Sequence, residues 1–141
     1  MDKTGFGVTV HAGVPDSLNN SAEIEKFENF FVKHMSLKTV NSKEKFFSKD
    51  FLGEEGIFWI REKFFDKSKE ELEAHLKSIG SDMIIIGHTP DAVGGKVRNF
   101  HNLVYDIDVG MSEAYGKHKP AYICITKEEA TAVYCRVEEK I

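Results

Sequence analysis

A chain of 141 residues, 41% hydrophobic and 30% charged, has the size and balance of one ordinary globular domain. Its formal net charge of −4 excludes a general nucleic-acid binder, which needs a basic stripe to neutralise backbone phosphates. The apolar runs are too short to cross a bilayer and Met1-Asp2-Lys3-Thr4-Gly5 has no signal-peptide core, so no membrane role and a cytoplasmic setting are expected.

The first strand is expected over Gly7–Val10, followed by the loop Gly13 to Asn19. Asn20 with Glu23 forms a capping signal. Ile24, Phe27, Phe31 and Met35 then recur at helical spacing, which predicts an amphipathic helix over residues 21–35. Ser42 to Phe51 reads as a second, shorter helix with Phe46, Phe47 and Phe51 near one face, and Ile57 to Phe65 as a helical turn. Ser68 with Glu71 is another capping signal, ahead of the stripe Leu72, Leu76, Ile79 that stops at Gly80. Strands follow at Met83–Ile86, at Val104–Val109 after the Gly94-Gly95 turn, and at Ala121–Thr126 and Thr131–Val137 as a hairpin. With no internal repeat or linker, the pattern predicts one α/β layered unit. Cys124 and Cys135 fall on the hairpin strands, where buried reduced thiols are expected.

Two of the six histidines stand at the carboxyl ends of apolar strands: His11 in His11-Ala12-Gly13, and His88 in Gly87-His88-Thr89-Pro90. A rigid strand end positions a ring at little entropic cost, and neutral imidazole suits zinc, iron or manganese. His34, His75, His101 and His118 lack that setting and read as solvent-exposed. Arg61, in Phe58-Trp59-Ile60-Arg61, offers a planar fork to two phosphate oxygens, though a helix with Arg61 facing water fits as well. Asp106 and Asp108 are two apart on one strand and share a face, with Asp108 at the loop layer. Two imidazoles for a metal and a guanidinium for an anion point to a metal-assisted reaction on phosphate.

The order His-Ala-Gly, Trp-x-Arg, Gly-His-Thr-Pro, Asp-x-Gly-Met-Ser resembles the carboxyl-terminal half of the calcineurin-like metallophosphoesterases, especially the bacterial-like phosphoprotein phosphatases. The resemblance implies a partial four-layer α-β-β-α fold, a β-sandwich flanked by helices, with residues 1–141 as its carboxyl-terminal portion. It implies a dinuclear centre of divalent ions (Mn, Fe or Zn), with His11 and His88 as ligands of one metal and Arg61 on substrate phosphate. Asp108 then becomes a supporting or substrate-side residue, and Tyr115, ahead of Gly116, a loose match to a tyrosine near the site.

The family's opening motifs, Gly-Asp-x-His-Gly, Gly-Asp-x-x-Asp-Arg-Gly and Gly-Asn-His-Glu, do not occur, and the chain has no Gly-Asp dipeptide. Two ions about 3.5–4 Å apart need a bridging ligand, which two histidines do not supply. The expected function is therefore metal-dependent hydrolysis of a phosphoester, as part of a serine/threonine phosphatase acting on a phosphorylated protein, with this chain inactive alone. The alternatives are an inactive phosphatase remnant acting as a protein-binding module, and a dinucleoside polyphosphate hydrolase. A sheet lacking its early strands leaves an open edge, and eleven phenylalanines are a large apolar load. The missing amino-terminal half, or a partner covering the sheet, is expected to complete the fold.

Overall fold

The computed structural model describes residues 7–34, 53–60, 65–89, 94–126 and 129–135. The expected helix over 42–51 lies outside the described residues, as does Arg61. Strand β1 is Gly7–Thr9, helix α1 Ser21–His34, helix α2 Lys69–Ile79 and strand β2 Met83–Ile86. Strands β3 (Arg98–Phe100), β4 (Val104–Asp106), β5 (Ala121–Ile125) and β6 (Ala130–Tyr134) complete the elements, with a 3₁₀ turn at Glu113–Tyr115.

Four strands form one sheet in the order β1-β2-β4-β3. β2 pairs in parallel with both β1 and β4, so three strands end at the same side of the sheet. β3, which the sequence did not signal, pairs antiparallel to β4 through a tight turn. That turn holds His101 and Asn102 at positive φ (58° and 61°), with the Asn99 side chain accepting from the Asn102 N–H at 2.8 Å. An Asx turn of this kind is a side-chain signal rather than a hydrophobic one, and periodicity does not detect it.

Strand alternation on β2 puts Ile84 and Ile86 on the buried face and leaves Met83 and Ile85 half-buried. Ile84 and Ile86 join Val104 of β4, Phe27 of α1, and Leu72, Leu76 and Ile79 of α2 in one core with Val14, Leu18 and Ile60. Each such aliphatic side chain contributes about 1.5–3 kcal/mol by leaving water. The 3.6-residue stripe on α2 thus lands where its spacing predicts.

Both capping signals are realised. The Glu23 N–H donates to Asn20 Oδ1 at 2.9 Å. At α2 the box closes both ways, Glu71 N–H to Ser68 Oγ at 3.2 Å and Ser68 N–H to Glu71 Oε2 at 2.7 Å. The Ser68 N–H on the carboxylate, helped by the Ser68 hydroxyl, favours the ionised Glu71 and holds its carboxyl below the ordinary range. Gly80 stops the helix in the left-handed region at φ 72°, as a C-cap glycine should. Ser68→Ala is expected to lower stability by about 1 kcal/mol, read as a shift of the urea midpoint at unchanged slope.

The mixed α/β class holds. The partial four-layer sandwich is not established by the described residues: β5 and β6 make a separate antiparallel hairpin, and no residue of those two strands belongs to the core. Tyr134 Oη accepts from the Val97 N–H at 2.8 Å, tying the hairpin to the segment before β3. Cys124 and Cys135 are exposed free thiols there, not the buried ones expected, because Cys124 lies on the exposed face of β5 and Cys135 follows the end of β6 at Tyr134. Among those residues, no strand pairs with the outer edge of β1. No helix among them is long and apolar enough to cross a membrane.

Candidate functional site

The carboxyl ends of the three parallel strands meet at one place, and each carries a residue singled out by sequence. The Val10 N–H donates to Ile85 O (3.0 Å), carrying the β1–β2 ladder one residue past β1. His11 O then accepts from the Gly87 N–H at 2.8 Å, which locks the two histidine loops side by side. Ile107 N–H to Ile86 O (2.9 Å) extends the β2–β4 ladder in the same way and delivers Asp108. Open α/β sheets bind ligands in this position, beyond the carboxyl ends of parallel strands.

His11 and His88, 77 residues apart in sequence, come within 2.5 Å through His11 Nε2 and His88 Nδ1. One ring donates its N–H and the other accepts, according to tautomer. The ring centroids are 4.3 Å apart at 61°. His88 takes a positive φ of 79°, a conformation that costs a non-glycine residue about 1–2 kcal/mol. Asp108 holds it there: Asp108 Oδ2 accepts from the His88 N–H at 3.1 Å, and Oδ1 from the Gly110 N–H at 3.2 Å.

Asp106 lies behind Asp108. It is 0% exposed, its Oδ1 accepts from the Asp108 N–H at 3.1 Å, and its Oδ2 has no hydrogen-bond partner among the described residues. Burial pushes its carboxyl pKa up to about 6; the Asp108 N–H and the Arg98 guanidinium oppose the rise, and the Asp108 carboxylate adds to it. The sequence pattern placed both aspartates on one face but favoured Asp108. An acid inside the run Val104-Tyr105-Asp106-Ile107 was the available sign of a buried carboxyl.

Aromatic rings wall the imidazole pair. Phe58 lies 5.4 Å from the His11 ring, and Trp59 stands edge-on to His88 at 5.3 Å and 89° while 49% exposed. The turn begins with the Gly56 carbonyl accepting from Trp59 and Ile60 N–H groups at 2.8 and 2.9 Å. An open apolar cleft of about 530 Å³, lined by Val8, Val10, His11, Ile24, Phe27 and Phe58, runs from His11 along β1.

Of the residues expected at the site, His11, His88 and Asp108 are thus brought together. Tyr115 sits 46% exposed on the 3₁₀ turn, and among the described residues no hydrogen bond joins it to the pair. His75 is not solvent-exposed as expected but 9% exposed on the core face of α2. Burial lowers its pKa, Asp16 at 3.9 Å works against that shift, and Lys67 adds to it. His118 is half-buried against Gly95 and Gly116, where a Cβ would come within 2.5 Å and 3.0 Å of its ring.

The expected dinuclear centre of divalent ions (Mn, Fe or Zn) is corrected by this geometry. Among the described residues, no group of three or more His, Cys, Asp or Glu side chains is placed to hold a metal ion. The two imidazole nitrogens that face each other are hydrogen-bonded together, both Asp108 oxygens accept backbone N–H groups, and Asp106 is sealed behind them. A metal ion needs more donors than these, and a pair of ions needs a bridge.

The chain resembles the crystal structure of a cold-active protein-tyrosine phosphatase from a psychrophilic Shewanella sp., with a TM-score of 0.66 at 19% sequence identity. The match covers 91% of this chain and 38% of that one, so the chain spans less than half the length of that phosphatase. At this identity the likeness carries the fold. No protein-family model and no curated protein matches the chain.

Proposed function

We propose that residues 1–141 are the carboxyl-terminal portion of a phosphoester-hydrolysing domain, with His11 and His88 facing the phosphoryl group. The observation that carries the reading is the imidazole pair at 2.5 Å on the carboxyl ends of adjacent parallel strands, in a fold resembling a phosphatase. The ordered motifs that resemble the calcineurin-like phosphoesterases support it, and the completed domain is where their sandwich belongs. The pair can donate an N–H to a phosphoryl oxygen and relay a proton between its rings towards the leaving oxygen. Asp108 fixes the His88 backbone rather than touching substrate. Arg61 supplies the guanidinium fork to the phosphoryl oxygens, and Tyr115 is a supporting or substrate-side residue. The rest of the catalytic groups come from a segment or partner that covers the open β1 edge, and this chain alone binds substrate without turning it over.

The substrate is a phosphorylated protein. Trp59, exposed beside His88, favours the aryl ring of phosphotyrosine over the serine/threonine class or a dinucleoside polyphosphate. Trp59→Ala is expected to weaken phosphotyrosine-peptide binding about fivefold and leave phosphoserine-peptide binding unchanged. Titration of the purified chain, followed by imidazole NMR, tests the whole reading. The His11 and His88 ring signals should shift together on adding phosphotyrosine peptide. Rings indifferent to phosphotyrosine, phosphoserine and dinucleoside polyphosphate alike would reject it in favour of an inactive remnant acting as a protein-binding module.

A further inference from the structure

The imidazole pair is supported by a relay of carboxylates that the proposed chemistry does not use. His88 is held at φ 79° by a hydrogen bond from its N–H to Asp108, and Asp108 is held in turn by its own N–H to the fully buried Asp106. We propose that Asp106 is a positioning residue for the His11–His88 pair, acting through Asp108: neutral, it keeps the His88 loop closed, and charged, it loosens it.

The environment of Asp106 gives the reason. Its Oδ2 has no partner among the described residues, so an ionised carboxylate has the Asp108 N–H on Oδ1 alone among them to offset its burial. From β2 the register partner is the uncharged Ile86, and from β3 it is Arg98. The Arg98 guanidinium lies over the rings of Phe100 (4.7 Å) and Phe65 (5.8 Å), which shares its attraction with two aromatic faces. The core face of α2 brings one titratable side chain, His75, whose pKa burial lowers, so it supplies no compensating cation at neutral pH. The nearest charge in the loop is the Asp108 carboxylate, of the same sign. Ionised Asp106 tightens its bond to the Asp108 N–H but repels the Asp108 carboxylate that clamps His88, and relief comes by turning that carboxylate away from the His88 N–H.

This device regulates the site on which the phosphoester reading rests, but its test needs no phosphoester. Hydrogen exchange of the His88 amide, normalised for its intrinsic rate, is followed in the full chain from pH 5 to pH 8. The Ile84 amide, bonded to Leu103 O at 2.9 Å, serves as the global reference. Protection of His88 relative to Ile84 should fall about tenfold across the ionisation of Asp106 and stay level in D106N. Level protection in the wild type, a measurement that needs no variant, overturns the inference; so does a D106N protein that keeps the wild-type fall. A failed phosphopeptide titration with the exchange result intact would remove the phosphoester reading and leave the positioning role.

Discussion

His88→Ala is expected to lower affinity for a phosphotyrosine peptide at least about tenfold. In a polypeptide that supplies the rest of the domain, it should lower hydrolysis by about 10²–10⁴. The side chain is one half of a hydrogen-bonded pair, so its loss removes both a donor to the phosphoryl oxygen and the proton partner of His11. His11→Ala should cost a similar factor, and the double variant little more than either, because groups that act as a unit are not additive. Backbone strain complicates the single variant, since His88 occupies the left-handed region. His88→Asn separates the two effects: asparagine tolerates that conformation, so its stability should match the wild type while the activity stays lost. Steady-state kinetics on p-nitrophenyl phosphate and on the peptide, beside denaturation curves, give both quantities. Near-normal turnover in His88→Ala would dismiss the imidazole pair as the reacting site.

Asp106 should dominate the pH dependence of stability. Its carboxyl moves from an ordinary value near 3.8 in the unfolded chain up to about 6 in the fold. Below both values the acid is neutral in either state and folding carries no penalty. As pH rises, the unfolded chain ionises first and the folded one resists, so stability falls until the folded carboxyl also ionises near pH 6 and then levels off. A rise of that size amounts to about 3 kcal/mol. In D106N that loss is absent, so the stability gap between variant and wild type should widen by about 2 kcal/mol between pH 4 and pH 7 and stay nearly constant to pH 8. His75 acts with the opposite sign. Its folded pKa lies below the ordinary 6.5, so its contribution is lost as pH falls below that value. The comparison therefore rests on the gap, from which His75 cancels, and not on either curve alone. Urea denaturation at four pH values measures it, and a gap that does not change with pH would mean that Asp106 is not a buried acid.

Local chemistry was legible in the sequence wherever a short-range rule decided the outcome. Ser68 with Glu71 and Gly80 bounded α2 because caps depend on a few backbone N–H and C=O groups, and Leu72, Leu76 and Ile79 gave its buried face by spacing alone. Met83–Ile86 read as a strand because an unbroken apolar run of that length suits a buried parallel strand. His11 and His88 stood out because each ends such a run. Their meeting at 2.5 Å was decided by the parallel pairing of β1 with β2, in which one register step aligns the carboxyl ends of strands 70 and more residues apart in sequence. Burial of Asp106 and His75 was likewise a tertiary outcome: each sits on a face that local pattern left open, until β4 and α2 packed into the common core. The expected metal centre failed for the same reason. Residue type nominates a ligand, but only the folded chain shows whether enough donors converge or are already bonded to one another.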